Sequence, residues 1–291
     1  MPSVVIAAHN EENVIGHSLD ALLAQKDSGL IEVVVSANGC TDRTVARATR
    51  PGVIVIDRPE PGKAAALNAG DRAASGFPRL YLDADILVPP GGLAALVSCL
   101  AENPHVLAVV PGRRMDTRGR PWTVRAYFSI NEKLPAFRTG LFGRGLIVLS
   151  EEGRARFDTF PAMIADDLFL DSQFTVAEKM EVRLVEVMVG APFTTGDLVR
   201  RLVRVRRGNA EMRAAGARGG IVVPVRAAAR WSWLHDVVLP NPRLVLAAVP
   251  YVVISLIAGV LARRRVRPGE GWGRDDSTRR NLPTSAKEAL S

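Results

Sequence analysis

Ser3-Val4-Val5-Ile6-Ala7-Ala8-His9-Asn10-Glu11-Glu12 is a short apolar, β-branched run that ends in a polar turn. Val14, Leu19, Leu22 and Leu23 follow at the spacing of one helix face, so the segment reads as a β-α unit. No basic residue precedes the apolar run and two glutamates end it, so a strand is expected here rather than a signal peptide. The unit recurs. Ile31 to Val35 is a second apolar strand, with Thr41 or Asp42 expected to cap a helix through Val45 and Ala48. Val53 to Ile56 is a third strand, followed by Gly62-Lys63 and the alanine-rich helix Ala64 to Ala74, and Leu80 to Leu82 is a fourth.

Strands that are apolar throughout and alternate with helices imply an α/β fold, with a mostly parallel sheet covered by helices on both faces. In such sheets ligands sit at the carboxyl ends of the strands. The polar clusters His9 to Glu12, Ser36 to Asp42, Asp57 to Lys63 and Asp83 to Asp85 all fall at those ends. Four loops are therefore expected to converge on one crevice. Beyond Pro90 the alternation loosens, with a helix expected near Leu93 to Leu100, a strand near Val106 to Val110, and a helix from Trp122 to Leu134.

The chain has 291 residues, 47% of them hydrophobic, and a net charge of +8. That charge is uneven: residues 1–195 carry −3, residues 196–243 carry +7 and residues 244–291 carry +4. The distribution argues against a nucleic-acid binder and for one local anionic partner, either phosphate groups or lipid headgroups. Cys40 and Cys99 are too few to staple a domain of this size and are expected to be reduced thiols. Leu244 to Ala262 is a hydrophobic C-terminal helix of 19 residues without a charge, interrupted by Pro250 and long enough to cross a bilayer. Arg226, Arg230 and Arg243 precede it and Arg263-Arg264-Arg265 follow, so both flanks favour the cytoplasmic side. A crossing, a re-entrant or interfacial helix, and a buried core helix all remain open. The tail from Pro268 to Ser291 is polar and expected to be disordered.

Several residues carry chemistry. Asp83-Ala84-Asp85 delivers two carboxylates to a strand end, which suits Mg²⁺ or Mn²⁺ completed by water and diphosphate oxygens; a solvated turn is the ordinary alternative. Lys63 at a helix start would attract anionic oxygens. Asp166-Asp167 lies in an apolar stretch where carboxylates are costly without a role, although Asp166 at an N-cap with Asp167 in the first turn would also account for them. Phe142-Gly143-Arg144-Gly145-Leu146 fits a tight turn before the strand Leu146 to Leu149 or a loop needing close backbone approach. Arg200-Arg201-Leu202-Val203-Arg204-Val205-Arg206-Arg207-Gly208-Asn209 suits phosphate oxygens or anionic lipid.

In this order and spacing the motifs resemble the family-2 glycosyltransferases of the GT-A fold over roughly the first 210 residues. The resemblance implies a nucleotide-sugar half over residues 1–90 and an acceptor half over 91–195. Residues 196–243 would form a basic closing or juxtamembrane segment, 244–262 a membrane helix and 263–291 a polar tail. It places the nucleotide sugar against Ala7, His9, Glu11, Asn38, Asp42, Lys63, Asp83, Arg204 and Arg207. The metal falls on Asp85 with Asp83, and the sugar and acceptor loop on Gly143 and Gly145. Asp167 becomes the general base, with Asp166 as runner-up. Asn38 departs from the family's customary aspartate, and the family's frequent Gln and Trp around the arginine segment are absent. The expected activity is inverting, metal-dependent transfer of a sugar from a nucleoside diphosphate donor to a hydroxyl acceptor. That acceptor could be lipid-linked, on the cytoplasmic side of the cell membrane. A catalytically silent nucleotide-sugar binder or membrane scaffold of the same fold is the alternative. No glycine-rich phosphate loop follows the first strand, as a nucleotidyltransferase or a Rossmann dehydrogenase would require.

Overall fold

The computed structural model describes residues 1–25, 31–162, 165–217 and 231–264. Met163, Ile164, Arg226, Arg230 and the polar tail beyond Arg264 lie outside the described residues. The chain divides into two compact units, Met1–Arg114 with Thr139–Val189 and Met115–Arg138 with Gly190–Ser291.

The first unit is built on a seven-stranded sheet in the order β3-β2-β1-β4-β6-β5-β7. Its strands are β1 (Ser3–Ala8), β2 (Glu32–Asn38), β3 (Val53–Arg58), β4 (Arg79–Asp83), β5 (Ala108–Asp116), β6 (Leu146–Leu149) and β7 (Lys179–Gly190). β1 pairs in parallel with both β2 and β4, and β2 with β3. β6 runs antiparallel to β4 and to β5. The expected α/β architecture and all four N-terminal strands are therefore present. Val4, Val5, Ile6, Val34 and Leu80 are fully buried, as strands covered on both faces require.

The connecting helices are α1 (Ile15–Leu23), α2 (Thr44–Ala48), α3 (Lys63–Ala73) and α4 (Gly92–Glu102). Alanines let α3 lie close on the sheet. A β-carbon added at Gly70 would stand 2.6 Å from Val5 Cγ1, so only glycine fits that approach. An ionic cluster locks the edge of this layer: Asp71 pairs with Arg79 at 3.1 Å and with Arg154 at 2.5 Å, and accepts from the Tyr81 hydroxyl at 2.9 Å.

One helix start differs from its expected capping. Arg43, not Thr41 or Asp42, occupies the N-cap of α2 and makes no side-chain cap bond. The Asp42 carboxylate instead accepts from the Thr44 backbone N–H at 2.9 Å, one residue further in. The strand expected over residues 106–110 starts two residues later and runs on to Asp116.

The second unit is helical. It contains α5 (Trp122–Asn131), α9 (Thr195–Ala217) and α10 (Val245–Arg263); short helices α6 (Pro135–Thr139), α7 (Glu151–Arg154) and α8 (Asp166–Ser172) come between in sequence. α10 packs on α9 and α5. Tyr251 of α10 stacks on Tyr127 with ring centroids 5.0 Å apart, and Trp233 leans on it at 5.7 Å. The Arg207 guanidinium donates to the carbonyls of Leu261, Ala262 and Arg264 at 3.2 to 3.4 Å, satisfying acceptors that a helix leaves orphaned at its C-terminus. Pro242–Arg263 is long and apolar enough to cross a membrane by length and composition, yet 22% of its most apolar window is buried.

Candidate active site

The carboxyl ends of β1 and β2 and the loop after β3 are tied together by one side chain. Asn38, 3% exposed, donates from Nδ2 to the Ala8 carbonyl at 2.8 Å and accepts at Oδ1 from the Gly62 N–H at 2.9 Å. His9 Nδ1 donates to the Asn38 carbonyl at 2.5 Å, since that partner can only accept. Thr41 N–H donates to Asn10 Oδ1 at 2.8 Å, and the Glu12 N–H donates to Asp42 Oδ2 at 3.1 Å. Burial pushes the Asp42 carboxyl up, but hydrogen bonds from the Thr44 hydroxyl and backbone and from Glu12 outweigh it and hold it below the usual range. Glu11 is buried at 9% exposure, and its N–H donates to Thr44 Oγ1 at 2.7 Å. Ala7 pairs with Asp83 across β1 and β4.

The charged centre lies where β4, α3 and α8 deliver their first or last residues. Lys63 at the start of α3 bridges two acids: its Nζ is 2.8 Å from Asp83 Oδ1 and 2.9 Å from Asp166 Oδ2. Burial works against the ammonium, yet the Asp166 and Asp83 charges outweigh it and hold Lys63 well above its ordinary value. The neighbouring acid, Asp167, accepts the Gly143 N–H at Oδ2 over 3.0 Å and the Leu168 N–H at Oδ1 over 2.8 Å. Burial first, then the Asp166 charge, push the Asp167 carboxyl up to about 6, against the pull of Lys63 and the Gly143 hydrogen bond. The N-cap of α8 is Ala165, without a side-chain cap bond, so both acids stand in the first turn and neither caps.

Glycine is required beside this centre. Gly145 adopts φ +68°, accepts the Asp83 N–H at its carbonyl over 2.7 Å, and would place a β-carbon 2.5 Å from Ile86 Cγ1 and 3.1 Å from Asp83 Oδ2. Gly143 also has positive φ, +75°. Two anchors of this loop carry no signal recognised in the sequence. Arg144, 1% exposed, donates to the carbonyls of Pro111, Gly140 and Phe142 and pairs with Glu181 at 3.3 Å. Asp171, pairing with Lys179 at 2.7 Å, accepts the Leu141 N–H at 2.9 Å. Asn68 on α3 forms a reciprocal pair with the backbone of Phe160, at 2.9 and 2.7 Å. A lone Asn in an alanine-rich helix and a lone Arg between glycines were the available hints.

Asp85 is exposed and the Asp83 side chain is 43% exposed, so two carboxylates face solvent at the end of β4. Among the described residues no three His, Cys, Asp or Glu side chains close around a point that could hold a metal. The pair therefore fits the kind of cation that takes one or two carboxylates and completes its shell from substrate oxygens and water, not an all-protein cage. Arg204 and Arg207 lie on α9 in the second unit, with Arg207 engaged at the end of α10.

Residues 3–153 match the family model of glycosyl transferase family 2. An uncharacterized glycosyltransferase of Mycobacterium tuberculosis is 36% identical over 125 residues, covering 42% of this chain and 54% of the relative. The undecaprenyl-phosphate 4-deoxy-4-formamido-L-arabinose transferase of Pseudomonas aeruginosa is 32% identical over 136 residues, covering 42% of this chain and 39% of the relative. The chain thus spans about half the length, or less, of these curated relatives. In overall fold it is similar to a mannosyltransferase of Pyrobaculum calidifontis solved with GDP-Man and Mn²⁺, at a TM-score of 0.59 and 22% identity, over 100% of this chain and 80% of that one. With the family model running through β1 to β6 and the loops between them, over more than half of the sequence, the chain belongs to glycosyl transferase family 2.

Proposed function

We propose that the chain transfers a sugar from a nucleoside diphosphate donor to an acceptor hydroxyl, with inversion, using Asp167 as general base. One observation carries the reading: Lys63, Asp83, Asp166 and Asp167, from three separate stretches of sequence, share one network beside the Gly143 to Gly145 loop. A carboxyl held near 6 is largely ionised at neutral pH and still basic enough to take a proton, the compromise that general-base catalysis favours.

In the proposed step the acceptor oxygen forms a bond to the anomeric carbon as its proton passes to Asp167. The bond from that carbon to the diphosphate oxygen breaks, and the diphosphate leaves with the electron pair. Gly143 N–H fixes which Asp167 oxygen is held and which way the carboxylate faces. Lys63 keeps two neighbouring acids neutralised, and its ammonium, at the N-terminus of α3, is suited to phosphate oxygens. A Mn²⁺ or Mg²⁺ ion on Asp85 and Asp83 would supply further positive charge for the leaving diphosphate. The neighbour bound to GDP-Man and Mn²⁺ and the relative named for undecaprenyl phosphate support a sugar nucleotide as donor and a lipid-linked acceptor.

The test is a thermal-shift panel of sugar nucleotides with Mn²⁺ or with EDTA, followed by assay of sugar release and transfer with the best donor. A specific donor should stabilise the fold by about 3 kcal/mol at a hundred times its Kd. Asp167→Asn should retain that stabilisation while losing at least about 10²-fold in turnover. Binding with no transfer or hydrolysis by the unaltered chain would establish the silent binder instead.

A further inference from the structure

We infer that α10 lies in the plane of an anionic bilayer surface, seated on it by one apolar face, and does not cross it. This inference concerns the helical unit alone and does not rest on the proposed transfer reaction.

α10 has two unlike faces. Pro250, Tyr251, Ile254 and Ala258 are buried against α5 and α9. Leu246 (83%), Val249 (65%), Val253 (48%), Leu256 (64%) and Val260 (56%) are exposed, and they recur at three- and four-residue intervals along the whole length of the helix. An unbroken apolar stripe of this size on one helix marks an interaction surface.

The neighbour of α10 decides how that surface meets lipid. α9 packs along it and carries Arg200, Arg201, Arg204, Arg206, Arg207 and Arg213 within 23 residues. The contact reaches the far end of α10, where Arg206 Nη1 comes within 3.3 Å of the β-carbon position of Gly259 and Arg207 holds the last carbonyls. If α10 stood upright across a bilayer, α9 would be drawn with it into hydrocarbon that strongly disfavours each arginine. Lying flat, the same pair keeps α9 on the aqueous side while only the stripe enters the boundary between headgroups and acyl chains.

The charges at the two ends agree. Arg243 precedes the stripe and Arg263 and Arg264 follow it, and all three are exposed. A crossing helix would leave one of these groups on each side of the membrane. A flat helix sets both at headgroup level on the same side, where anionic lipid attracts them. The occupant is therefore a bilayer surface carrying negative charge.

The experiment uses the full chain with Cys40→Ser and Cys99→Ser, mixed with preformed vesicles of phosphatidylcholine alone or with phosphatidylserine. Flotation should show binding that strengthens with phosphatidylserine, by up to about fivefold for each engaged arginine, and weakens in high salt. Leu246→Glu with Leu256→Glu, both on the exposed face, should reduce vesicle binding by about tenfold or more without altering the far-UV spectrum. Single cysteines in place of Arg243 and Arg264 report topology: on bound protein a membrane-impermeant maleimide added outside should label both equally. Labelling at one end alone, or resistance to alkaline extraction, would show a crossing helix and overturn the inference. So would vesicle binding unchanged by the glutamates, or a concentration-dependent self-association that the glutamates abolish while vesicle binding is absent, since the stripe would then serve a second copy of the chain.

Discussion

Replacing Asp167 by Asn should make the protein more stable at pH 8 and less stable at pH 4. Its carboxyl stands at about 6 in the folded chain against 3.8 when unperturbed. Between those values the folded state binds the proton more tightly than the unfolded state does, so stability falls as pH rises through this window. The cost is absent below about 4 and complete above about 6. At about 1.4 kcal/mol for each pH unit it amounts to about 3 kcal/mol. Asparagine carries no charge and escapes this cost. Its single oxygen can keep the Gly143 hydrogen bond but not also the one from Leu168, a loss of about 1 kcal/mol. The net expectation is a gain of about 2 kcal/mol at pH 8, equal to a rise of about 4 to 8 °C in Tm for a domain of this size, and a deficit of about 1 kcal/mol at pH 4. Urea unfolding of both proteins in EDTA, at half-unit steps from pH 4 to 8, measures the difference. A difference that does not vary with pH, or a variant less stable at pH 8, would refute the reasoning, because burial and the Asp166 charge would then not be straining the carboxylate.

Two other substitutions probe the frame around that acid. Gly145→Ala should cost about 2 to 4 kcal/mol by chemical denaturation, combining left-handed strain with the 2.5 Å approach to Ile86, and should abolish sugar-nucleotide stabilisation by displacing the Asp83 carboxylate. Asn38→Asp removes the donor to the Ala8 carbonyl and buries a charge; it should cost about 2 to 3 kcal/mol at pH 7. The cost should shrink in acid, where a protonated carboxyl donates again, and a pH-independent loss measured in the same titration would contradict the hydrogen-bond account.

The fold was legible because it is written in unambiguous periods. Val4 to Ile6 and Val33 to Val35 are continuous apolar runs, the Ala64 to Ala69 stretch is a helix former, and polar residues mark each strand end. The meeting of Lys63 with Asp83 followed from the same rule, since strand ends of one parallel sheet face one way, whereas Asp166, at the start of α8, was brought to the site only by the family resemblance. What escaped was long-range pairing within the first unit. Arg144 reads as a turn residue until Glu181 and the Pro111 carbonyl surround it. Asn38 and Asp42 resemble ligand contacts by position, yet their side chains are occupied by Ala8, Gly62, Thr44 and Glu12. The capping expected of Asp166 failed for a local reason: Ala165 takes that place, and Asp166 turns to Lys63 instead. The C-terminal run showed its length in the sequence but not its arginine-bearing neighbour, which only tertiary packing reveals.

The Asn38 amide has a kinetic consequence. Loops at a sheet rim ordinarily fluctuate one by one, but here a single planar group clasps the ends of two strands and the turn ahead of α3. The rim is thereby preorganised in the absence of ligand. Capture of a nucleotide should proceed as the docking of two rigid bodies, with an association rate governed by encounter and charge steering rather than by waiting for the loops to assemble.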